Sequence, residues 1–288
     1  KTMAILGAHM SIAGGYYKAV EIAAAEGCDC VQIFTKNNNQ WRAKPLTEED
    51  VRLFTEAMET LGITHPISHD SYLINLGSPD KVLWKKSVDA LVIEIERASR
   101  LQIPYVVAHP GAFTSSSEAA GIRQIARGIN EVHKQTKKRT AQILLETTAG
   151  QGSNLGWQFE QLGAILEKVK NPDIVGICFD TCHVHAAGYP MESDKEYRAT
   201  MRKLNRAVGT TKVKAFHLND SKKPFGSRVD RHEAIGKGHL GLAPFKHLLN
   251  DRRFKKVPMY LETPKGPRGN STWDRANLRL LRKLIETR

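Results

Sequence analysis

Apolar positions along the chain fall into short, nearly unbroken runs, separated by longer stretches in which they recur every three to four residues. The short runs, rich in Val and Ile, cover 4–7, 30–34, 65–68, 105–108, 142–145, 174–179, 214–217 and 257–261. Runs that are apolar at nearly every position suit parallel strands covered on both faces. The periodic stretches cover 16–26, 48–61, 85–101, 119–137, 159–169, 197–208, 245–249 and 274–285 and read as amphipathic helices. Strand and helix thus alternate eight times. In 288 residues with no Pro-, Gly- or Ser-rich linker, that pattern predicts an α/β fold, one (β/α)8 TIM-barrel domain spanning 1–288. A doubly wound open sheet has the same alternation and is the second choice, because alternation does not reveal closure.

A barrel of this kind builds its active site at the carboxyl ends of its strands, so the residues ending each run are informative. The third run ends in His69, the fourth in His109, the fifth in Glu146, the sixth in Asp180, the seventh in His217 and the eighth in Glu262. His183 lies three residues after Asp180, and Asp230 and His232 alternate in an extended segment, which points both the same way. One strand-end His is ordinary; nine ligand-capable residues, six of them at consecutive strand ends, are not random placement. Five imidazoles and four carboxylates suit zinc better than magnesium or calcium, which favour all-oxygen sites. Nine ligands exceed what one ion needs. With a shared carboxylate they fit two or three ions, the arrangement used for in-line phosphoryl displacement. His9 faces the same rim, with a supporting or substrate-contacting role. His65, His133, His185, His239 and His247 are read as ordinary packing or loop residues.

Charge narrows the substrate. Lys and Arg number 43 against 30 Asp and Glu, a net +13 that favours encounter with polyanions, nucleic acid first among them. No window carries the eighteen or so apolar residues of a membrane span, so no membrane partner is expected. Four cysteines are too few for a disulfide scaffold; Cys28, Cys30 and Cys178 sit in apolar runs, and Cys182, without a paired Cys-x-x-Cys, is read as packing rather than as a zinc ligand. An intracellular location follows, cytoplasmic if the source is bacterial. Residues 1–3 lead directly into the first apolar run with no targeting pattern, although residue 1 is not Met and an upstream segment stays open. The Gly-rich stretch 150–156 lacks the Lys-Ser/Thr of a phosphate-binding P-loop and reads as a loop and helix entry.

At these same residues the chain resembles the endonuclease IV family of abasic-site endonucleases over essentially its whole length. The matching stretches are Gly7-Ala8-His9, Phe34-Thr35-Lys36-Asn37, His69-Asp70-Ser71-Tyr72-Leu73-Ile74-Asn75-Leu76, His109-Pro110-Gly111, Glu146-Thr147-Thr148-Ala149-Gly150-Gln151-Gly152, Asp180-Thr181-Cys182-His183, His217-Leu218-Asn219-Asp220 and Gly226-Ser227-Arg228-Val229-Asp230-Arg231-His232. The resemblance implies three zinc ions: one on His69, His109 and a shared Glu146, one on Glu146, Asp180, His217 and Glu262, one on His183, Asp230 and His232. It implies hydrolysis of the phosphodiester 5′ to an abasic site, with Glu146 and Glu262 as catalytic carboxylates, and removal of 3′ blocking groups. The expected partner is double-stranded DNA bearing abasic sites or blocked 3′ ends, met by a monomer.

The resemblance also places DNA contacts. Tyr72 and Leu73 match positions that enter the distorted duplex, Leu73 as an apolar wedge. Arg228 and Arg231, beside a ligand pair, are candidate phosphate contacts. The family commonly has Arg where this chain has Asn39, and Lys36 and Gln40 are the near candidates to fill that gap. Two rival expectations are a sugar isomerase or epimerase on a related barrel, against which the histidine-rich ligand set and positive charge argue, and a non-catalytic DNA-binding protein, against which the intact ligand set argues.

Overall fold

The computed structural model describes residues 4–136 and 139–286. The chain runs β1 (Leu6–Met10), α1 (Tyr16–Glu26), β2 (Cys30–Phe34), α2 (Glu48–Leu61), β3 (Thr64–His69), α3 (Lys81–Arg100), β4 (Tyr105–Ala108), α4 (Glu118–Gln135), β5 (Gln142–Glu146) and α5 (Phe159–Lys168). It continues through β6 (Val175–Asp180), α6 (Thr181–Ala186), α7 (Asp194–Ala207), β7 (Val213–His217), β8 (Asp220–Ser221), β9 (His232–Glu233), α8 (Ala243–Asn250), β10 (Met259–Leu261), β11 (Pro267–Arg268), β12 (Ser271–Thr272) and α9 (Trp273–Lys283). Strands β1 to β7 and β10 close into one parallel barrel in the order β1-β10-β7-β6-β5-β4-β3-β2. Closure excludes the doubly wound open sheet.

Helix starts are set by caps that hydrophobic periodicity does not see. Helix α3 begins at Lys81 rather than 85 because the Asp80 carboxylate accepts from the Val82 and Leu83 amides. Helix α7 begins at Asp194 rather than 197 because Ser193 and Glu196 form a capping box. The expected end of the fourth helix, Lys137, lies outside the described residues, as do residues 1–3 and the last two. Strand β1 is shifted toward the C-terminus of the predicted run, so His9 lies within it, paired with Gln32 on β2. Gly7 permits that pairing, since a Cβ there would stand 1.9 Å from the Cys30 carbonyl oxygen.

Two apolar layers hold the barrel. The larger core lies between strands and helices, while Cys30, Ile67, Val107, Leu144, Cys178, Ala215 and Tyr260 form a second cluster filling the lumen. Side chains alternate along a strand, so the residue two positions on faces the same way, nearer the carboxyl end. Those positions are Gln32, His69, His109, Glu146, Asp180, His217 and Glu262. An apolar floor therefore carries a polar layer directly at the barrel mouth.

Candidate metal centre

The nine expected ligands converge in three groups whose donor atoms lie within 4.8 Å of one another: His69, His109 and Glu146; Glu146, Asp180, His217 and Glu262; His183, Asp230 and His232. In the first, His69 Nε2 and His109 Nε2 stand 3.1 and 3.2 Å from Glu146 Oε2. In the second, His217 Nδ1 stands 2.9 Å from Glu146 Oε1, 3.2 Å from Glu262 Oε2 and 3.8 Å from Asp180 Oδ2. In the third, His183 Nε2 and His232 Nε2 lie 3.2 and 3.3 Å from the two Asp230 oxygens. Glu146 thus turns one oxygen to each of two groups. Asp180 lies between the second and third groups, with Oδ2 also 3.6 Å from His232 Nε2.

Local structure sets these positions. Asp180 ends β6 and caps α6, accepting from the His183 amide at 2.8 Å, so one carboxylate orients the turn that carries the next ligand. His183 is therefore on a helix, where the hydrophobic pattern alone predicts a loop. His232 sits on the β8–β9 hairpin, which brings it back to the mouth.

Electrostatically the cluster draws positive charge. Burial opposes ionisation of Glu146, yet His217, His109 and His183 bring its pKa well below the carboxylate range. Burial likewise opposes charging of His69, but Glu146, Asp70 and Glu262 raise it to about 9, and His183 and His217 are raised well above the usual value. His9 goes the other way, lowered by burial to about 3. A set of four carboxylates facing five imidazoles, five of the nine buried and the rest half-buried at the mouth, suits dications, to which ligated imidazoles yield their protons.

Geometry fits the same group. A tetrahedral ion with ligands at about 2.0–2.1 Å separates its donors by roughly 3.3 Å. Most of the spacings above lie near that edge length, and His183 Nε2 and His232 Nε2 face each other at 3.4 Å, a meeting of ring nitrogens that a shared cation explains. Asp180, Cys182 and His232 form a further possible group, but Asp180 and His232 already belong to the groups above and Cys182 Sγ donates to the Arg231 carbonyl at 3.7 Å. Among the described residues, the other histidines belong to none of these groups.

Two residues missed by sequence reading support the ligands. Asn219 donates to Asp180 Oδ2 at 2.7 Å and accepts from the Glu262 amide at 2.8 Å. Gln32 donates to Glu262 Oε1 at 2.5 Å, and its Oε1 lies 2.7 Å from His217 Nε2. Both are amides, absent from any list of metal-capable types. The two-residue offset from the lumen residue Cys30 is the signal that finds Gln32.

Around the mouth, Tyr72 is 61% exposed, its ring 5.9 Å from that of His69. Leu73 is half-buried, and Asn39 and Gln40 are exposed on the loop after β2. That loop is tied to the Tyr72 loop by Ser71 Oγ, which donates to the Asn38 carbonyl. Arg228 stacks 4.2 Å over the Trp157 ring and donates to the Gly150 carbonyl; Arg231 is exposed. Lys36 corrects an expectation. It is buried, 3.5 Å from Glu94, with its ammonium donating to the Gln40 carbonyl, so it has no free face for a phosphate.

A closed parallel barrel with this mouth defines a class. The family model for xylose isomerase-like TIM barrels matches residues 20–284. The chain is 47% identical over 284 residues to a probable endonuclease 4 of Geobacter sp. (strain M21), covering 99% of this chain and 100% of that one. It is 48% identical over 279 residues to a probable endonuclease 4 of Chloroflexus aggregans, covering 97% of each. The crystal structure of endonuclease IV from Thermus thermophilus superposes with a TM-score of 0.85 at 36% identity, over 97% of this chain and 98% of that one. The chain belongs to the endonuclease IV family of these barrels. A D-tagatose 3-epimerase-like protein, at TM-score 0.72 and 18% identity over 96% of each chain, shares the fold alone.

Proposed function

We propose that this chain is a DNA repair endonuclease that hydrolyses the phosphodiester 5′ to an abasic site, leaving a 3′ hydroxyl and a 5′-deoxyribose phosphate, and trims blocked 3′ ends at the same centre. Its relatives named endonuclease 4 support the class of activity. The observation that carries the chemistry is Glu146, fully buried and turning one carboxylate oxygen to each of two donor groups.

In this reading zinc ions are held by His69, His109 and Glu146, by Glu146, Asp180, His217 and Glu262, and by His183, Asp230 and His232. When bound, they supply an acidified water and positive charge for the departing oxygen. The chain's own work is to fix where those charges sit. Glu146 would offer one carboxylate oxygen to the first group and the other to the second, and Glu262 completes the second group as its most exposed member. An abasic nucleotide has no base to unpair, which lowers the cost of extruding it to the mouth. Tyr72 and Leu73 occupy the distorted duplex, Asn39 and Gln40 flank it, and Arg228 and Arg231 hold phosphates. The enzyme acts as a monomer inside the cell, in keeping with four cysteines that are all free and buried.

The test is incision of a synthetic duplex carrying one abasic site, with the product ends identified. Cleavage 5′ to the lesion with a 3′ hydroxyl is expected. Equal cutting of undamaged duplex, or sugar epimerisation without incision, would overturn the reading.

A further inference from the structure

The layer of side chains at the barrel mouth contains one member, Gln32, that is neither a ligand type nor solvent-facing. It is fully buried on β2, two residues beyond the lumen residue Cys30, in the place where neighbouring strands present His69, His109 and Glu146. Its amide meets three side chains. Oε1 lies 2.7 Å from His217 Nε2, while Nε2 lies 2.5 Å from Glu262 Oε1 and 3.0 Å from His9 Nδ1.

These contacts determine the amide's orientation. A primary amide offers two N–H donors and one acceptor oxygen. Flipped, it would set its oxygen against the Glu262 carboxylate, oxygen facing oxygen at 2.5 Å, and its NH2 against His217. As placed, one N–H goes to Glu262 and the other to His9 Nδ1, leaving Oε1 to accept. The hydrogen that reaches Oε1 is the one on His217 Nε2. That assignment leaves Nδ1 of His217 as the nitrogen facing Glu146 and Glu262, the one that gives up its proton when a cation enters the second group.

We infer that Gln32 is a positioning residue for the second metal group: it locks His217 in the Nε2–H tautomer and holds the Glu262 carboxylate in place, and thereby sets that group's affinity for its ion. The inference rests on the metal reading of the site. Gln32 reaches two ligands of one group and none that belong to the other two groups alone, so its influence is selective. Outer partners of this kind are worth about 10–100-fold in metal affinity.

The experiment uses the full chain, stripped with a chelator and titrated with zinc against a chromophoric competitor. In Gln32→Met, close in volume but without the amide, one ion is expected to bind about 10–100-fold more weakly while the other affinities stay within about twofold. With limiting zinc, kcat on an abasic duplex falls with KM nearly unchanged, since Gln32 is buried beneath the mouth, and excess zinc restores most of it. Gln32→Ala, which removes the amide without adding volume, is read in the same way if the Met variant does not fold. Unchanged affinity for every ion in a folded variant, or an equal loss at all of them, overturns the role. Wild-type protein that binds no zinc would instead overturn the metal reading itself, so the two failures are distinguishable.

Discussion

Lys36 Nζ lies 3.5 Å from a Glu94 carboxylate oxygen, with both side chains 2% exposed. Glu94 also accepts from Thr35 Oγ1, and the Arg97 guanidinium donates to the Thr35 and Lys44 carbonyls, so the pair belongs to a buried network anchoring the loop after β2. Removing one partner of a buried pair leaves an uncompensated charge and costs about 3–5 kcal/mol. Lys36→Met is expected to lower unfolding stability by about that much, with Glu94→Gln recovering part of it in the double variant. DNA binding by the folded Lys36→Met protein should keep its salt slope. A slope shallower by about 0.9 would mean that Lys36 meets a phosphate after all.

Asn39 lies exposed on that same loop, at the position where the resemblance above implies that the family commonly has Arg. Asn39→Arg is expected to tighten binding to an abasic duplex and to steepen its salt dependence by roughly 0.9 per phosphate neutralised. The single-turnover cutting rate should hardly change, because the residue supplies no ligand. A titration at several salt concentrations checks both.

Elemental analysis of purified protein should return close to three zinc ions per chain, as expected for nine ligands with one shared carboxylate. Cys182→Ala should retain all of them, since Cys182 is not among the nine ligands and its Sγ is directed at the Arg231 carbonyl. Loss of one ion in this variant would assign the Asp180, Cys182 and His232 group a metal instead.

Glu146→Gln preserves shape at a fully buried position but removes the charge that two donor groups share. Incision is expected to fall by on the order of 10³-fold or more, the equivalent of several kcal/mol of lost transition-state stabilisation, with the far-UV spectrum unchanged. Near-normal turnover would show that Glu146 is misassigned.

The ligand set is legible in the sequence because a parallel strand buried on both faces is apolar until it reaches the mouth. His69, Glu146, Asp180 and His217 stand out where such runs stop. Gln32 stays hidden because its amide is not a ligand type and its partners His217 and Glu262 come from distant strands. Lys36 misleads for a related reason: beside Asn37, Asn38 and Asn39 it looks like part of a solvated loop, and its partner Glu94 lies on α3, which no local pattern connects to it. His183 reads as a loop residue because α6 has only six residues, too few to show a period. Helix starts are hidden where caps such as Asp80 and Ser193 precede the apolar rhythm.

Metal and damage recognition are tested together by the cutting of an end-labelled duplex with a single abasic site by the protein as purified, after chelation, and after chelation followed by zinc. A single cut 5′ to the lesion is expected, lost on chelation and restored by zinc but not by magnesium. Full activity in the stripped protein, or cutting that ignores the lesion, would contradict it.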